Sequence, residues 1–368
     1  MTIAPLEEKL LPALHRFLAK YYVHIPVKAN RGFFDWKFRQ NPVGDPLPGY
    51  YVAVDGENVV GQVASIPDRL WVAGEWRPIS WMVDLAVDPD YRNRHTGLHL
   101  IRALMPAGGI TMASGVCKGL IEMYEGLGWR KLRLSETFYS IARPSAMLAV
   151  AGQNNSDFIP QAARRMQGLL SLADTVLPLV QKSYGWRGHL PSGIYLEPLE
   201  RFDGSVDGLI GEALPSLGNT TFRSSEHLSW KFTRCPYGQY FALAARSKAG
   251  GGLRGYVVVK VLSLGDVRWA DIADILVHGD EGEVFDCLVH AAHSEALKRG
   301  SQFVRFRCSM PGHFARLKKP FWLRHTRSVV DEVLVHCRDT QFLKAIQTGP
   351  WHLTGVVADR VDDGRNDA

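Results

Sequence analysis

At 368 residues, 46% hydrophobic and 22% charged, the chain has a globular composition and the length of two domains. A net charge of +6 with no long basic stripe argues against nucleic acid as a partner and suits an anionic small molecule, a nucleotide, an acidic carrier protein or a membrane surface. No stretch offers the ~20 apolar residues a membrane span needs, and five scattered cysteines without a CxxC or a leader segment suggest free thiols in the cytoplasm.

The N-terminal segment sets Leu6, Leu10, Leu14, Phe17 and Leu18 on one helical face. Phe34-Asp-Trp-Lys-Phe38 followed by Asn41-Pro-Val-Gly44 reads as a helix end packed on a sheet, then a turn. Residues 50–54 and 59–64 read as strands. An extended stretch, Trp81 to Val87, passes through Asp88-Pro-Asp-Tyr91 into Arg92-Asn-Arg-His-Thr-Gly97 and an apolar helical run from Leu98 to Met105. A strand, a basic loop and a helix N-terminus in that order present unpaired backbone N–H groups at the positive end of a helix dipole. With Arg92 and Arg94 added, the junction suits a pyrophosphate. Residues 111–115 then read as a strand, Lys118–Leu127 as a helix and Arg130–Ala142 as closing strands.

These residues resemble the GNAT acyltransferase superfamily. Val87, Pro89, Tyr91, Arg92 and Gly97 fit its V-x-P-x-Y-R and [R/Q]-x-x-G-x-[G/A] patterns, and Tyr124-Glu-Gly-Leu-Gly-Trp129 fits its Y-x-x-L-G-[F/W] signature. His95 departs, standing where the first glycine is usual, which removes conformational freedom from the loop. The resemblance covers about residues 5–143. It implies an N-acyltransferase that moves an acyl group from acetyl-CoA or another acyl-CoA to an amine, directly and without a protein nucleophile. It puts the pyrophosphate at Arg92, Arg94, His95, Thr96, Gly97 and Leu98, and the pantetheine and thioester carbonyl at the backbone of Leu85, Ala86 and Val87. Tyr124 is the implied proton donor to the sulfur, its alternative being a buried helix tyrosine. Asp84 is the best-placed general base, its alternative being a counter-ion or a loop-ordering residue; Glu122 and Glu136 stay open. The scattered histidines give no metal site.

An internal repeat organises the rest. Trp36, Lys37, Phe38, Pro42, Gly44 and Gly61 recur as Trp230, Lys231, Phe232, Pro236, Gly238 and Gly255 at one offset of 194, and Val83–Val87 resembles Ala273–Val277. Motifs repeated in order imply two copies of one fold. The expectation is two tandem GNAT-like α/β domains, each a mixed, mostly antiparallel sheet flanked by helices, with residues 1–145 as the first, 146–186 as a helical linker, 187–350 as the second and 351–368 as a tail. The loop His278-Gly-Asp-Glu-Gly-Glu283 is acidic and would repel a pyrophosphate, so the second copy is expected to keep the fold without CoA.

The acceptor is expected to be a small-molecule amine lying between the halves, with Arg223, Trp230 and Lys231 contributing. The resemblance narrows it to an amino sugar linked to a nucleotide in surface-polysaccharide synthesis. A homodimer and an acyl carrier protein stay open as partners. So does a second class of function, a non-catalytic binding or regulatory protein on a worn GNAT fold.

Overall fold

A computed structural model of the chain describes residues 1–23, 25–44, 49–105, 109–133, 136–153, 167–183, 190–279, 281–309, 311–317, 322–325 and 332–354. It holds two mixed sheets in two compact units: Met1–Arg133 with Gly218–Tyr237 and Glu332–Pro350, and Leu134–Leu217 with Gly238–Asp331 and Trp351–Ala368.

In the first unit the strands are β1 (Thr2–Pro5), β2 (Tyr50–Asp55), β3 (Asn58–Val72), β4 (Glu75–Val87), β5 (Ile110–Ser114), β6 (Arg130–Arg133), the short β9 (Asn219–Thr221), which pairs antiparallel with β3, and, from far along the chain, β15 (Glu332–His336). Apart from β9 they run in the order β1-β2-β3-β4-β5-β15-β6. All neighbours are antiparallel except β4 and β5. Helices α1 (Leu11–Tyr21), α2 (Arg31–Arg39), α3 (Pro89–Arg92), α4 (Thr96–Leu104) and α5 (Lys118–Gly126) flank the sheet. α1 buries Ala13, Leu14, Phe17 and Leu18, the apolar stripe legible in the sequence. β1 precedes it, because Thr2–Pro5 finds an edge to pair with at Tyr51–Val54.

The second unit comes from β7 (Glu136–Ile141), β8 (Ile194–Pro198), β10 (Gln239–Ser247), β11 (Leu253–Leu264), β12 (Val267–Val277), β13 (Phe303–Cys308) and β14 (Trp322–His325), ordered β14-β7-β13-β12-β11-β10-β8. Here too the central contact, β12 with β13, is the parallel one. α6 (Pro144–Gln153), α7 (Gln167–Ser183), α8 (Gly204–Leu217), α10 (Gly282–Lys298) and α11 (Pro311–Leu317) belong to this unit. The core between sheet and α10 is dry and aliphatic-aromatic, with Val257, Val259, Ile272, Phe285, Leu288 and Phe306 all buried.

The strand orders match position for position, so two sheets of one topology are present as the repeat implies. The contiguous boundaries read from the sequence do not coincide with the compact units. The last strand of each sequence half lies in the other's sheet: β15 sits between β5 and β6, and β7 sits between β13 and β14. The segment from 146 to 186 is helical where described, as α6 and α7, and the tail beyond Thr354 lies outside the described residues.

The repeated Trp-Lys-Phe is explained by packing within the first unit. α2 carries Trp36, and a π-helical turn, Ser229–Thr233, follows α9 (Ser225–Leu228) and carries Trp230. The two indoles stack at 5.2 Å, and each ring N–H donates to the other residue's carbonyl at 2.9 Å. Both tryptophans are buried, so each polar end needs a partner and the two copies supply it reciprocally.

Candidate active site

The site grows from one local feature of the first sheet. β4 pairs β5 only from Ile79–Ile110 to Met82–Ala113. Beyond Met82 no ladder is formed on that side among the described residues, and Val83 to Val87 turn from buried to half-buried. A β-bulge accompanies the splay: Ala64 opposes Val83 while Gln62 opposes Ala86, leaving Asp84 and Leu85 against Val63. Asp84 takes the left-handed conformation there, with φ 55°. A strand with free amides along one edge is suited to hydrogen-bond an extended ligand arm.

At the end of β4 the chain turns through α3, where Asp88 caps by accepting from the Asp90 amide at 3.0 Å. His95 follows with φ 58° and ψ 22°, the conformation a glycine would give. The departure from the family pattern therefore keeps the loop's geometry at the strain of a left-handed non-glycine residue. α4 starts at Thr96, which is buried and donates through Oγ1 to the Tyr91 carbonyl at 2.8 Å. The first intrahelical bond is that of the His99 amide to His95, so the amides of Thr96, Gly97 and Leu98 open the helix. A Cβ built on Gly97 would meet only Val87 Cγ2, at 3.7 Å, so this turn is open to an approaching anion. Arg92 is exposed and its Nε reaches the Val87 carbonyl at 3.3 Å; the Arg94 guanidinium lies 4.8 Å from the Tyr91 ring. Tyr91 is itself anchored to Asp55 at 2.6 Å. Leu85, Ala86, Val87, Arg92, Arg94, His95, Thr96, Gly97 and Leu98 are thus brought together as one strand edge and one helix entry.

The His95 geometry carries a prediction. A glycine there would relieve about 1–2 kcal/mol of backbone strain and give back about 0.5–1 kcal/mol in unfolded-state entropy. His95→Gly is expected to stabilise slightly and His95→Val to destabilise by about 1–2 kcal/mol, read by urea denaturation. Equal stability of all three would contradict the assignment.

Tyr124 and Asp84, the two residues expected to move protons, fare differently. Tyr124 lies on α5, 3% exposed, with its ring edge-on to Trp129 and its hydroxyl 3.3 Å from Met82 Sδ. Met82 is the last residue of β4 paired to β5, so the phenol points at the apex of the splay. Burial pushes its pKa up, which keeps it protonated and able to donate. Asp84 does not suit a base. Although burial opposes its ionisation, Lys28 at 2.9 Å and Lys37, both paired to its carboxylate, hold it well below the usual carboxylate range. A base needs affinity for a proton, and this carboxylate has lost it. Lys37 is not solvated either: it is fully buried, with Phe38 and Phe33 ring centroids 5.0 and 5.7 Å away. The sequence carried both lysines but no spacing that ties them to Asp84.

Two of the residues expected to touch the acceptor turn inward. Trp230 is 1% exposed in the indole pair, and Arg223 is 6% exposed with Nη1 on Thr220 Oγ1 at 2.6 Å and the Thr221 carbonyl at 3.2 Å. Lys231 is half-buried.

The corresponding helix entry of the second sheet, at α10, is filled by the chain itself. Glu281 pairs with Arg254, and His278 lies 3.1 Å from Glu212. A Cβ on Gly282 would strike the Arg316 guanidinium at 2.2 Å, so that side chain covers the first turn. Among the described residues no cluster could hold a metal ion, and no helix is long and apolar enough to cross a membrane.

Residues 5–132 match the family described as acetyltransferase (GNAT) domain. Among solved structures, the chain resembles a GCN5-related N-acetyltransferase from Kribbella flavida (TM-score 0.57, 14% identity, 97% of this chain and 83% of that one). It also resembles one from Anabaena variabilis (0.57, 13%, 91% and 72%). The N-myristoyltransferase of Saccharomyces cerevisiae, solved with bound myristoyl-CoA, is similar at TM-score 0.51 and 12% identity over 83% of this chain and 75% of that one. At such identities the likeness concerns fold, and it extends over both sequence halves. No curated protein matches the chain. The splayed β4, the open α4 turn and the match to the acetyltransferase (GNAT) domain family fall on the same residues, within 5–132.

Proposed function

We propose that this protein is an acyl-CoA-dependent N-acyltransferase whose single cofactor site is in the first unit. The observation that carries the reading is the unpaired edge of β4 from Val83 to Val87 running straight into the open first turn of α4. The pyrophosphate would sit on the Thr96–Leu98 amides, with Arg92 adding charge. The pantetheine would run along β4 as an added strand, bringing the thioester to the apex beside Tyr124. There the acceptor nitrogen attacks the thioester carbonyl carbon, the C–S bond breaks, and the Tyr124 phenol donates its proton to the departing sulfur. The proton lost by the nitrogen passes to solvent, since Asp84 has too little affinity for it, and solvent returns one to the Tyr124 phenolate. The rate should therefore follow the deprotonation of the acceptor amine as pH rises.

The acyl length is open, and both acetyl and longer chains occur among similar folds. A nucleotide-linked amino sugar has little behind it here, because Arg223 and Trp230 face the core.

The test is a thermal shift with acetyl-CoA and longer acyl-CoAs. A ligand at 100 times its dissociation constant stabilises by about 2.7 kcal/mol. Arg92→Ala should remove most of the shift, while Glu281→Gln and Glu283→Gln should leave it intact. No shift with any acyl-CoA would favour a worn, non-catalytic fold.

A further inference from the structure

The second sheet has the same splay as the first. β12 pairs β13 from Ala270–Val304 to Ile272–Phe306, the positions that correspond to Ile79–Ile110 and Met82–Ala113 apart from one residue of length. Past that point the first sheet leaves β4 half-buried, whereas in the second Ala273 to Val277 are all buried. The difference is a short segment of the chain, Trp351 to Thr354, which belongs to the same unit. It touches both walls of the splay. On the β12 side, the Thr354 hydroxyl donates to Asp274 Oδ1 at 2.7 Å and His352 Nε2 donates to the Ile275 carbonyl at 3.0 Å. On the β13 side, Thr354 forms an antiparallel bridge with Cys308, the Ser309 amide donates to the Leu353 carbonyl at 2.9 Å, and the Leu353 amide donates to Ser309 Oγ at 2.7 Å. Trp351, His352, Leu353 and Thr354 are all 7% exposed or less.

We infer that the opening of the second sheet is a strand-binding site for an extended peptide, and that the chain fills it with its own residues 351–354. The site reads its occupant by backbone and by side chain. Ser309 donates its amide to the Leu353 carbonyl and its hydroxyl to the Trp351 carbonyl at 3.0 Å, while its hydroxyl oxygen accepts from the Leu353 amide, as in strand addition to a sheet edge. Asp274 selects a hydroxyl: it also accepts from Tyr256 at 2.8 Å, and a carboxylate only 4% exposed suits small donors rather than a second acid. Asp274 aligns in sequence with Asp84, yet Asp84 occupies the bulge with positive φ and Asp274 pairs regularly with Val258. The bulge is displaced by one residue, so one aspartate binds lysines and the other binds the inserted peptide. The acidic loop over α10 is then not the sole reason the second sheet takes no cofactor: the place a pantetheine would need is occupied by protein.

The contrast with the first sheet rests on the acyl-CoA reading, so the test has one arm independent of it. Hydrogen exchange by mass spectrometry on the full chain should show residues 351–354 and Ser309 protected as strongly as β13. In the full-chain variant carrying His352→Ala and Thr354→Val, two side-chain bonds are lost. Exchange in 304–309 and 351–354 should then rise roughly ten- to a hundredfold, with β2 and β3 unchanged. Unprotected exchange of 351–354 in the wild type, or no change in the variant, would overturn the inference. The second arm is calorimetry with CoA itself. One equivalent per chain is expected; two would show that the second opening is not filled. No binding at all would sink the acyl-CoA reading and leave the exchange result to stand by itself.

Discussion

Asp84→Ala is expected to destabilise the fold by about 3–5 kcal/mol, because it takes the carboxylate away from a fully buried ammonium. Lys37 has no exposed surface, and Lys28 sits against the same carboxylate from the other side. Removing one partner of such a cluster leaves a buried charge uncompensated, whereas removing charge on both sides is far milder. The combination of Asp84→Leu with Lys37→Met should therefore recover much of the loss in guanidinium denaturation. A loss under about 1 kcal/mol for Asp84→Ala would mean that the cluster is solvated and the base role should be reconsidered.

The pH dependence follows with a definite sign. The folded-state pKa of Asp84 lies below its unfolded value, which is about 3.9 for an aspartate. Its contribution is fully present above about pH 5 and is lost as pH falls through 4 and below. Acid unfolding of the wild type should therefore be steeper than that of the Asp84→Leu, Lys37→Met variant. The acyl-transfer rate, in contrast, should show no inflection that Asp84→Asn abolishes.

The local chemistry was legible because it is local. The strand, basic turn and helix entry from Trp81 to Met105 are neighbours in sequence, and their residue types state their backbone geometry. α4 forms where the helical run put it, within two residues, and β4 contains the extended stretch Trp81–Val87 but begins at Glu75. His95 shows the reach of that reading: the pattern required a left-handed residue, and the chain adopts one without glycine. The roles of side chains were less legible, since they depend on what lies opposite. Asp84 reads as a lone acid on a strand until Lys28 and Lys37, 56 and 47 residues earlier, close on it. Trp230 reads as aromatic and available until Trp36 meets it ring to ring. Trp351 to Thr354 had no motif to announce it, because strand addition uses backbone groups that every sequence has.

The strand exchange was the least legible feature, and it yields the second large prediction. A fragment of residues 1–145 contains every GNAT motif and would be expected, on sequence alone, to fold and bind CoA. It lacks β15, which pairs Val333 to His336 with β5 and Glu332 to Val335 with β6. Val333, Leu334 and Val335 are all buried, and Leu334 packs in the core with Met82, Leu100, Tyr124 and Trp129. Burial of such side chains is worth about 1.5–3 kcal/mol each, a large fraction of a domain's net stability. Without β15 both β5 and β6 become unpaired edges next to exposed core, the arrangement that invites edge-to-edge aggregation. β7, which the fragment keeps, has its own partners in the other sheet. The fragment is therefore expected to be aggregated or unfolded, with no acyl-CoA thermal shift, and soluble only when residues 332–350 are restored through a linker. In the full chain, Leu334→Asp should reproduce the loss. A soluble 1–145 fragment with dispersed amide resonances and full acyl-CoA affinity would show that the exchanged strand is dispensable, and that the first sequence half is a complete domain.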